Sequence, residues 1–499
     1  MRKPLPMAAD KPVNARTDYT DISSEKPKEA CGVFGIYSRE LSGELAQRTY
    51  FGLYALQHRG QESAGIAISD GERTTAMRDM GLVSQVFDPA KLAALESGHI
   101  ALGHVRYSTT GSASWENAQP EFHGRGDVNV AVAHNGNLVN TDGLRDALAS
   151  EGFEFNSTSD TTFIAAAAVS ELEKGHEEPG EAVKLAMRRM EGAYSVAMIF
   201  RDKLVAFRDP YGFRPLVIGK VEGGYVVSSE TCGLDIIGAE FVRVVKPGEV
   251  VVIDDAGLTS YQAESPRSAL CVFEYVYFAR PDSRFDGREI AGSRQKMGEL
   301  LAEEAPAEAD VVIPVPDSGI MAAVGYSRAS GIPYAEGLIK NRYVGRTFIQ
   351  PTDGMRQIGL RLKLNPLPSV IKDQRIVVVD DSIVRGNTSR KLIELLYEAG
   401  AKEVHMRVSS PPVTGPCYYG IDMDSPDQLI GAKFSVEEIR EQIGATSLGY
   451  ISVDAMVAAT KQPKANLCRA CFDGEYPTSG TTSKFSLEDA EYCATLADK

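Results

Sequence analysis

No stretch of this 499-residue sequence approaches the roughly eighteen consecutive apolar residues of a membrane-crossing helix. Residues 1–30 lack the apolar core of a secretory signal. A basic excess is missing as well: 53 Lys and Arg stand against 68 Asp and Glu, a formal charge of −15. That balance excludes an extended basic face for nucleic acid or anionic lipid, so an anionic ligand must be met by local positive sites. Cysteine is scarce, with seven in the whole sequence, too few for a disulfide framework. Internal repeats are absent. These absences point to a cytoplasmic protein with reduced thiols, each of which is then a candidate for catalysis or metal binding.

What is present is enough apolar sequence, 43%, for two or three real cores. Residues 1–30 are polar, charged and proline-bearing without helical or strand period, and are expected to be disordered or removed. From Cys31 to about residue 261 the text is strand-rich: CGVFGIY, SAGIAIS, VNVAVAHNG, AYSVAMIF, KLVAFRD, PLVIGKV and EVVVID lie between Gly, Pro and Asn turns. Helices are expected over 141–152, 160–175 and 180–191. Consecutive strands joined by short turns predict antiparallel sheets with helices packed on them, an α+β layered unit. Residues 261–270, YQAESPRSAL, lose the strand pattern and read as a linker. Beyond them DVVIPVPD, SGIMAAVGYSRASG, RIVVVDDSIV, NTSRKLIELLYEAG and EVHMRVSSPP alternate strand and helix, which predicts an α/β unit with a parallel sheet.

Within that second unit, RIVVVDDSIVRGNTSRKLIELL (375–396) sets a buried strand before two acids, a glycine loop and a helix start. Backbone amides of the loop Arg385, Gly386, Asn387, Thr388 and Ser389 would cradle a phosphate, with the helix N-terminus behind them. Asp380 and Asp381 fall at the strand's carboxyl end, where open parallel sheets bind ligands, and are suited to ribose hydroxyls or Mg²⁺. A second strand end, VIPVPDSG (312–319), offers Ser318 and backbone amides. Between the two lies GLIKNRYVGRTFIQP (337–351), whose Lys340, Arg342 and Arg346 form a basic segment able to close over a polyanion. The string VVVDDSIVRGNTS resembles the phosphoribosyl pyrophosphate motif of the type I phosphoribosyltransferases, which extends the expected contacts to Ser382 and implies that Ser318, Asp380 and Asp381 hold Mg²⁺.

Cys31 stands at the head of the first strand. A thiol attacks only as thiolate, and at its ordinary pKa of about 8.5 little of it is ionised at neutral pH. A cysteine at a chain terminus carries its own base, an α-amine with a pKa of about 7.7–8.0. For Cys31 this requires cleavage after Ala30. Three further stretches supply partners: Arg59 in LQHRGQESAG, Arg106 in HVRYSTTG as a carboxylate clamp, and Asn135 with Gly136 in AVAHNGN as an oxyanion hole. Asp160, in STSDTTF, can receive a substrate ammonium or cap a helix. In this order the segments resemble the glutaminase domain of the N-terminal-nucleophile amidotransferases, with an αββα fold. The resemblance implies that Cys31 forms a thioester with glutamine and releases ammonia, with Arg59, Arg106 and Asp160 binding the glutamine.

Four more cysteines remain to be placed. Cys468 and Cys471 form a Cys-x-x-Cys pair in NLCRACFDG, and Cys271 and Cys417 could join them in the fold to bind Zn²⁺ or a [4Fe–4S] cluster. Their contexts, CVFEYVYFARPDS and SSPPVTGPCYYGIDM, resemble the cluster-bearing branch of the glutamine phosphoribosylpyrophosphate amidotransferases. That resemblance implies one [4Fe–4S] cluster on Cys271, Cys417, Cys468 and Cys471 and one Mg²⁺ per subunit. It also implies a propeptide over 1–30, a glutaminase domain over 31–262, a phosphoribosyltransferase domain over 263–470 and a tail over 471–499. Glutamine and phosphoribosyl pyrophosphate are the implied substrates, purine nucleotides the feedback inhibitors and a homotetramer the assembly. Cys232 and Cys493 match no such role and are read as structural.

Overall fold

The computed structural model describes residues 31–95, 97–107, 115–155, 157, 159–176, 178–263, 266–341, 364–423 and 426–478. Its first half stacks two antiparallel sheets. The seven-stranded sheet runs Glu240–Val244, Val217–Val221, Gly224–Ser228, Gly32–Ser38, Ile100–Arg106, Ser63–Ser69, Thr74–Met80, and the six-stranded one Gly257–Gln262, Glu249–Asp254, Lys203–Arg208, Gly192–Phe200, Val128–Leu138, Glu121–Arg125. Side chains alternate between the faces of a strand, and the cores follow that period. In Gly32–Ser38, Phe34 and Ile36 pack with Leu45 and Leu53 of the helix Leu45–Ala55, while Val33 and Tyr37 turn into the layer between the sheets. In Val128–Leu138, Val130 and Val132 face the helices Asp160–Leu172 and Pro179–Met187, while Ala131 and Ala133 face the opposite sheet. Helix, sheet, sheet, helix is the expected layering. The expected helices are found, each ending some residues early.

The second half is built on a parallel sheet ordered Val311–Pro314, Arg375–Asp380, Glu403–Val408, Ser447–Tyr450. Val377 and Val379 pack with Met297 and Tyr326, from the helices Ile290–Glu304 and Ile320–Ser330. Ile376 and Val378 pack with Leu392 and Leu396 of the helix Asn387–Glu398. Burial on both faces is why RIVVVD is continuously apolar rather than alternating.

Two segments differ from expectation. Residues 261–270 are not a free linker: Tyr261 and Gln262 belong to the last strand of the six-stranded sheet, and Arg267, Ala269 and Cys271 donate backbone hydrogen bonds to the carbonyls of Pro210, Tyr211 and Phe213. The chain passes into the second half as an extra extended segment laid on the first. At the other end, residues 471–478 are part of the folded body, since Cys471 and Phe472 are buried in the helix Ala470–Asp473 and the Thr478 amide donates to the Tyr419 hydroxyl at 3.2 Å. Among the described residues no helix is long and apolar enough to cross a membrane.

Phe34 is fully buried, with its ring lying where a methyl on Gly52 would stand 2.4 Å away. Phe34→Ala is expected to lower stability by about 3–5 kcal/mol, read as an earlier thermal transition by calorimetry.

Candidate active site

Cys31 lies where the central strand of the seven-stranded sheet begins, almost wholly buried. Its Sγ donates to the Tyr107 carbonyl at 3.6 Å, and its own carbonyl accepts from Arg59 Nε at 3.2 Å. Two glycines let these segments close. A Cβ on Gly60 would meet the Arg106 nitrogen at 2.6 Å, and one on Gly32 would meet Val105 at 2.8 Å. Burial pushes the Cys31 thiol above its ordinary pKa, opposed by the charge of Arg106. A base is therefore needed before this thiol can act.

Asn135 and Gly136 sit on the strand Val128–Leu138, opposite Ser195 and Tyr194. The Asn135 side chain is fully buried, and neither its oxygen nor its nitrogen has a hydrogen-bond partner. An unpaired buried polar group costs about 1–3 kcal/mol and calls for an explanation. Gly136 has φ +148°, and a Cβ there would fall 2.0 Å from the Ala193 carbonyl oxygen, so only glycine fits. Asp160 opens the helix Asp160–Leu172, but the cap is Ser159, whose Oγ accepts from the Thr161 amide at 3.3 Å. Asp160 instead accepts from the Leu138 amide at 3.0 Å and lies 3.6 Å from His134 Nδ1. Burial alone would raise its pKa, but His134, the Leu138 amide and Arg106 bring it below the usual carboxylate value.

Arg59 is held by groups that were not expected from the sequence. Its side chain is fully buried and committed to protein groups: Nε to the Cys31 carbonyl, Nη1 to Glu230 at 2.5 Å and to Glu274 at 3.0 Å, and Nη2 to Glu274 at 2.8 Å. Four of its five N–H donors are thus spent on protein groups. Glu274 also accepts from Arg214 Nη1 at 3.3 Å, and Arg214 donates to the Tyr419 carbonyl from Nε at 3.2 Å and Nη2 at 3.0 Å. Glu230 takes further bonds from His58, Ser283 and the Arg280 amide. The neighbouring Tyr418 carbonyl accepts from Asn137 Nδ2 at 3.0 Å, and a Cβ on Gly420 would meet the Gly136 backbone at 3.0 Å. Sequence reading passed over Glu230, Glu274, Arg214 and His134; the last lies inside the quoted AVAHNGN, beside the residue chosen.

The second set of expected residues gathers at the carboxyl edge of the parallel sheet. Asp380 ends the strand Arg375–Asp380, and Asp381 follows it; both carboxylates are buried. Asp380 accepts from the Asp381 amide at 2.9 Å, and Asp381 from Ser382 Oγ at 2.5 Å. Gly386, at φ +85°, turns the chain into the helix Asn387–Glu398, whose first-turn residues Asn387, Thr388 and Ser389 have amides beyond the reach of the helix's own carbonyls. Arg385 donates to Gln428. The adjacent strand Val311–Pro314 ends beside this loop: the Val315 amide donates to the Val379 carbonyl at 2.9 Å, and a Cβ on Gly319 would meet the same oxygen at 2.3 Å. Ser318 is thereby on the same edge. Lys340 reaches that edge and pairs with Asp317 at 2.6 Å. Arg342 and Arg346 lie outside the described residues.

Cys271 and Cys468 are directly facing residues of the two-residue parallel ladder between Leu270–Cys271 and Leu467–Cys468. Cys471 shares an apolar cluster with Cys271, and Cys417 packs against it. Burial pushes the Cys271 thiol up to about 12 and those of Cys468 and Cys471 well above the ordinary value, and other thiols of the set add to each rise. None of the four is in a disulfide, and among the described residues no three His, Cys, Asp or Glu side chains converge as a metal-holding group. Cys232 is buried, with Sγ 3.7 Å from the Ala55 carbonyl; Cys493 lies outside the described residues.

A model of the glutamine amidotransferase domain matches residues 104–235, and one of the phosphoribosyl transferase domain matches 287–415. The amidophosphoribosyltransferase of Synechococcus elongatus is 56% identical over 458 residues, 91% of this chain and 92% of that protein. That of Methanocaldococcus jannaschii is 48% identical over 464 residues, 90% of this chain and 98% of that protein. Among solved structures, glutamine phosphoribosylpyrophosphate amidotransferase from B. subtilis, complexed with ADP and GMP, is 45% identical with a TM-score of 0.84, covering 90% of this chain and 98% of that one. With relatives this similar along almost their whole length, and with both domain types in this order, the chain belongs to the amidophosphoribosyltransferase family.

Proposed function

We propose that this chain makes 5-phosphoribosylamine, glutamate and pyrophosphate from glutamine, water and phosphoribosyl pyrophosphate, the first committed step of purine synthesis. The observation that carries the reading is the presence, in one chain, of a buried thiol in the field of Arg106 and Asp160, an unpartnered Asn135 amide, and an acid doublet and glycine loop at a parallel sheet's carboxyl edge.

Cleavage after Ala30 would expose the Cys31 α-amine, whose pKa of about 7.7–8.0 suits it to take the thiol proton near neutral pH. The thiolate then attacks the glutamine amide carbon. Asn135 Nδ2 and the Gly136 amide receive the developing oxyanion, and the orphaned state of the Asn135 amide is what a preorganised donor looks like before its acceptor arrives. Arg106 would hold the α-carboxylate and Asp160, ionised at neutral pH, the α-ammonium. Collapse of the tetrahedral species breaks the C–N bond, and the α-ammonium of Cys31 returns its proton to the departing nitrogen. Water then hydrolyses the thioester to glutamate and restores the thiol.

At the second edge, the amides and side chains of Arg385, Gly386, Asn387, Thr388 and Ser389 would hold the 5-phosphate, Asp380, Asp381 and Ser382 the ribose, and Ser318, Lys340 and Arg342 the pyrophosphate. Ammonia attacks the anomeric carbon as the pyrophosphate leaves. The buried oxygens of Asp380 and Asp381, on the same edge as Ser318, suit a hard cation, and Mg²⁺ there would supply charge that stabilises pyrophosphate as a leaving group. For the four thiols the support is the donor set itself: Cys271 faces Cys468 across a ladder, Cys471 shares the apolar cluster of Cys271, and Cys417 packs against that cluster. Thiolates crowded in an apolar pocket repel one another, and a [4Fe–4S] cluster on Cys271, Cys417, Cys468 and Cys471 would relieve that repulsion. Processing of residues 1–30, assembly as a homotetramer and inhibition by purine nucleotides complete the proposal.

Cys31→Ala is expected to abolish glutamine-dependent synthesis while sparing synthesis from ammonia, measured as phosphoribosylamine formed from each donor. Retained glutamine-dependent activity would falsify the assignment, as would full activity in protein whose intact mass begins at Met1. Asn135→Ala is expected to lower glutamine hydrolysis about 10²- to 10³-fold with little change in thermal stability, because its amide binds nothing in the protein. Iron and acid-labile sulfide assayed on protein purified without oxygen should both be found at about four per chain; zinc in their place would reject the cluster.

A further inference from the structure

Two buried arginines bracket the glutaminase corner. Arg59 holds the Cys31 carbonyl from one side. Arg214 holds the Tyr419 carbonyl on the other, within the segment whose Tyr418 carbonyl takes Asn137 Nδ2 and whose Gly420 abuts the Gly136 backbone. One carboxylate touches both guanidinium groups: Glu274, with Oε1 at 2.8 Å from Arg59 Nη2 and 3.3 Å from Arg214 Nη1, and Oε2 at 3.0 Å from Arg59 Nη1. Glu230 reaches Arg59, and among the described residues Glu274 alone bonds to both arginines; the second oxygen of Glu230 is taken by Ser283 and the Arg280 amide. Glu274 is fully buried, three residues after Cys271, on the chain that enters the second half.

We propose that Glu274 is a positioning residue for the glutaminase reaction, fixing through Arg59 and Arg214 the distance between the Cys31 nucleophile and the Asn135–Gly136 strand. The inference rests on the assignment of Cys31 as nucleophile. A glutamine in this corner spans the two elements that the carboxylate ties together: its carbonyl carbon faces the sulfur and its oxygen faces the Asn135 amide. If either arginine is released, the tie through Glu274 is lost, and the gap is held by packing and by His104 Nε2, 2.9 Å from the His134 carbonyl. The groups assigned to the α-carboxylate and α-ammonium, Arg106 and Asp160, are not among the side chains that hydrogen-bond Glu274 in the described residues, which are Arg59 and Arg214. Binding and chemistry are therefore separable in a Glu274 variant.

The full chain carrying Glu274→Gln or Glu274→Asp tests this. A glutamine side chain offers one acceptor oxygen for two guanidinium groups, and an aspartate keeps the charge but is shorter by one methylene. For Glu274→Gln the glutamine-dependent kcat is expected to fall about 10- to 100-fold with KM for glutamine unchanged and the ammonia-dependent rate held within about twofold, and Glu274→Asp to fall in the same direction by less. If the uncharged variant does not fold, Glu274→Asp decides alone. Parallel loss of both activities in Glu274→Asp, a raised KM with normal kcat, or wild-type rates would each overturn the proposal. Cys31→Ala run beside them keeps the two readings apart: if it stays active with glutamine, the nucleophile assignment fails, and if it is inactive while Glu274→Asp is normal, only the positioning role fails.

Discussion

Everything around the first site hangs on a buried group of four full charges, Arg59, Glu230, Glu274 and Arg214, none of them measurably exposed. Two cations and two anions balance, so the group buries no net charge. Each guanidinium also donates to a backbone carbonyl, Arg59 to Cys31 and Arg214 to Tyr419, and such added hydrogen bonds help a buried ion pair to be tolerated. Desolvating such a group is costly, and an apolar set of the same volume could match it in stability. Directionality is what hydrophobic packing cannot match. Loss of one member leaves an uncompensated charge, at about 3–5 kcal/mol, so the arrangement has essentially one geometry. Side chains far apart in sequence, Arg59 and Glu274 among them, are thereby held at hydrogen-bond distance, 2.8 Å for that pair.

The same group explains why the two halves meet as they do. Glu274 follows Cys271 closely, and Tyr419, whose carbonyl Arg214 holds, is two residues from Cys417. Phe213 stacks on Tyr419 with ring centroids 4.0 Å apart, fastening the residue before Arg214 to the same segment. The thiol pocket therefore backs directly onto the charged group, and the charged group onto the Cys31 corner. A change in packing around Cys271 or Cys417 has only a few residues to travel before it meets a partner of Cys31 or Gly136.

Layering was legible in the sequence because it depends on local period: Val33 and Phe34 on opposite faces of a strand, or the unbroken RIVVVD buried on both sides, are written in adjacent letters. The loop at Arg385–Ser389 was legible for the same reason, since strand, acids, glycine and helix start are contiguous. The partners of Arg59 were not legible because they are decided by the fold, here a glutamate 215 positions away. Glu274 lay in a segment read for its cysteine, and nothing local distinguishes it from a surface acid. Residues 261–270 looked like a linker for lack of strand period, yet the amides of Arg267, Ala269 and Cys271 follow the carbonyls at 210, 211 and 213, a pairing that carries no side-chain pattern.

Arginine at positions 59 and 214 answers a geometric demand that lysine cannot meet. Arg59 must donate in three directions at once, to the Cys31 carbonyl and to two carboxylates, and Arg214 in two, to Tyr419 and Glu274. A planar fork with five donors does this, whereas an ammonium is a point charge on a flexible stem. The position of the anchor on Cys31 matters as much as its strength. Strand pairing starts at Gly32 with Val105, and Arg59 grips the Cys31 carbonyl, so both restraints lie on the C-terminal side of the residue. Neither uses its nitrogen. Cleavage before Cys31, as proposed, would therefore leave both of these restraints in place.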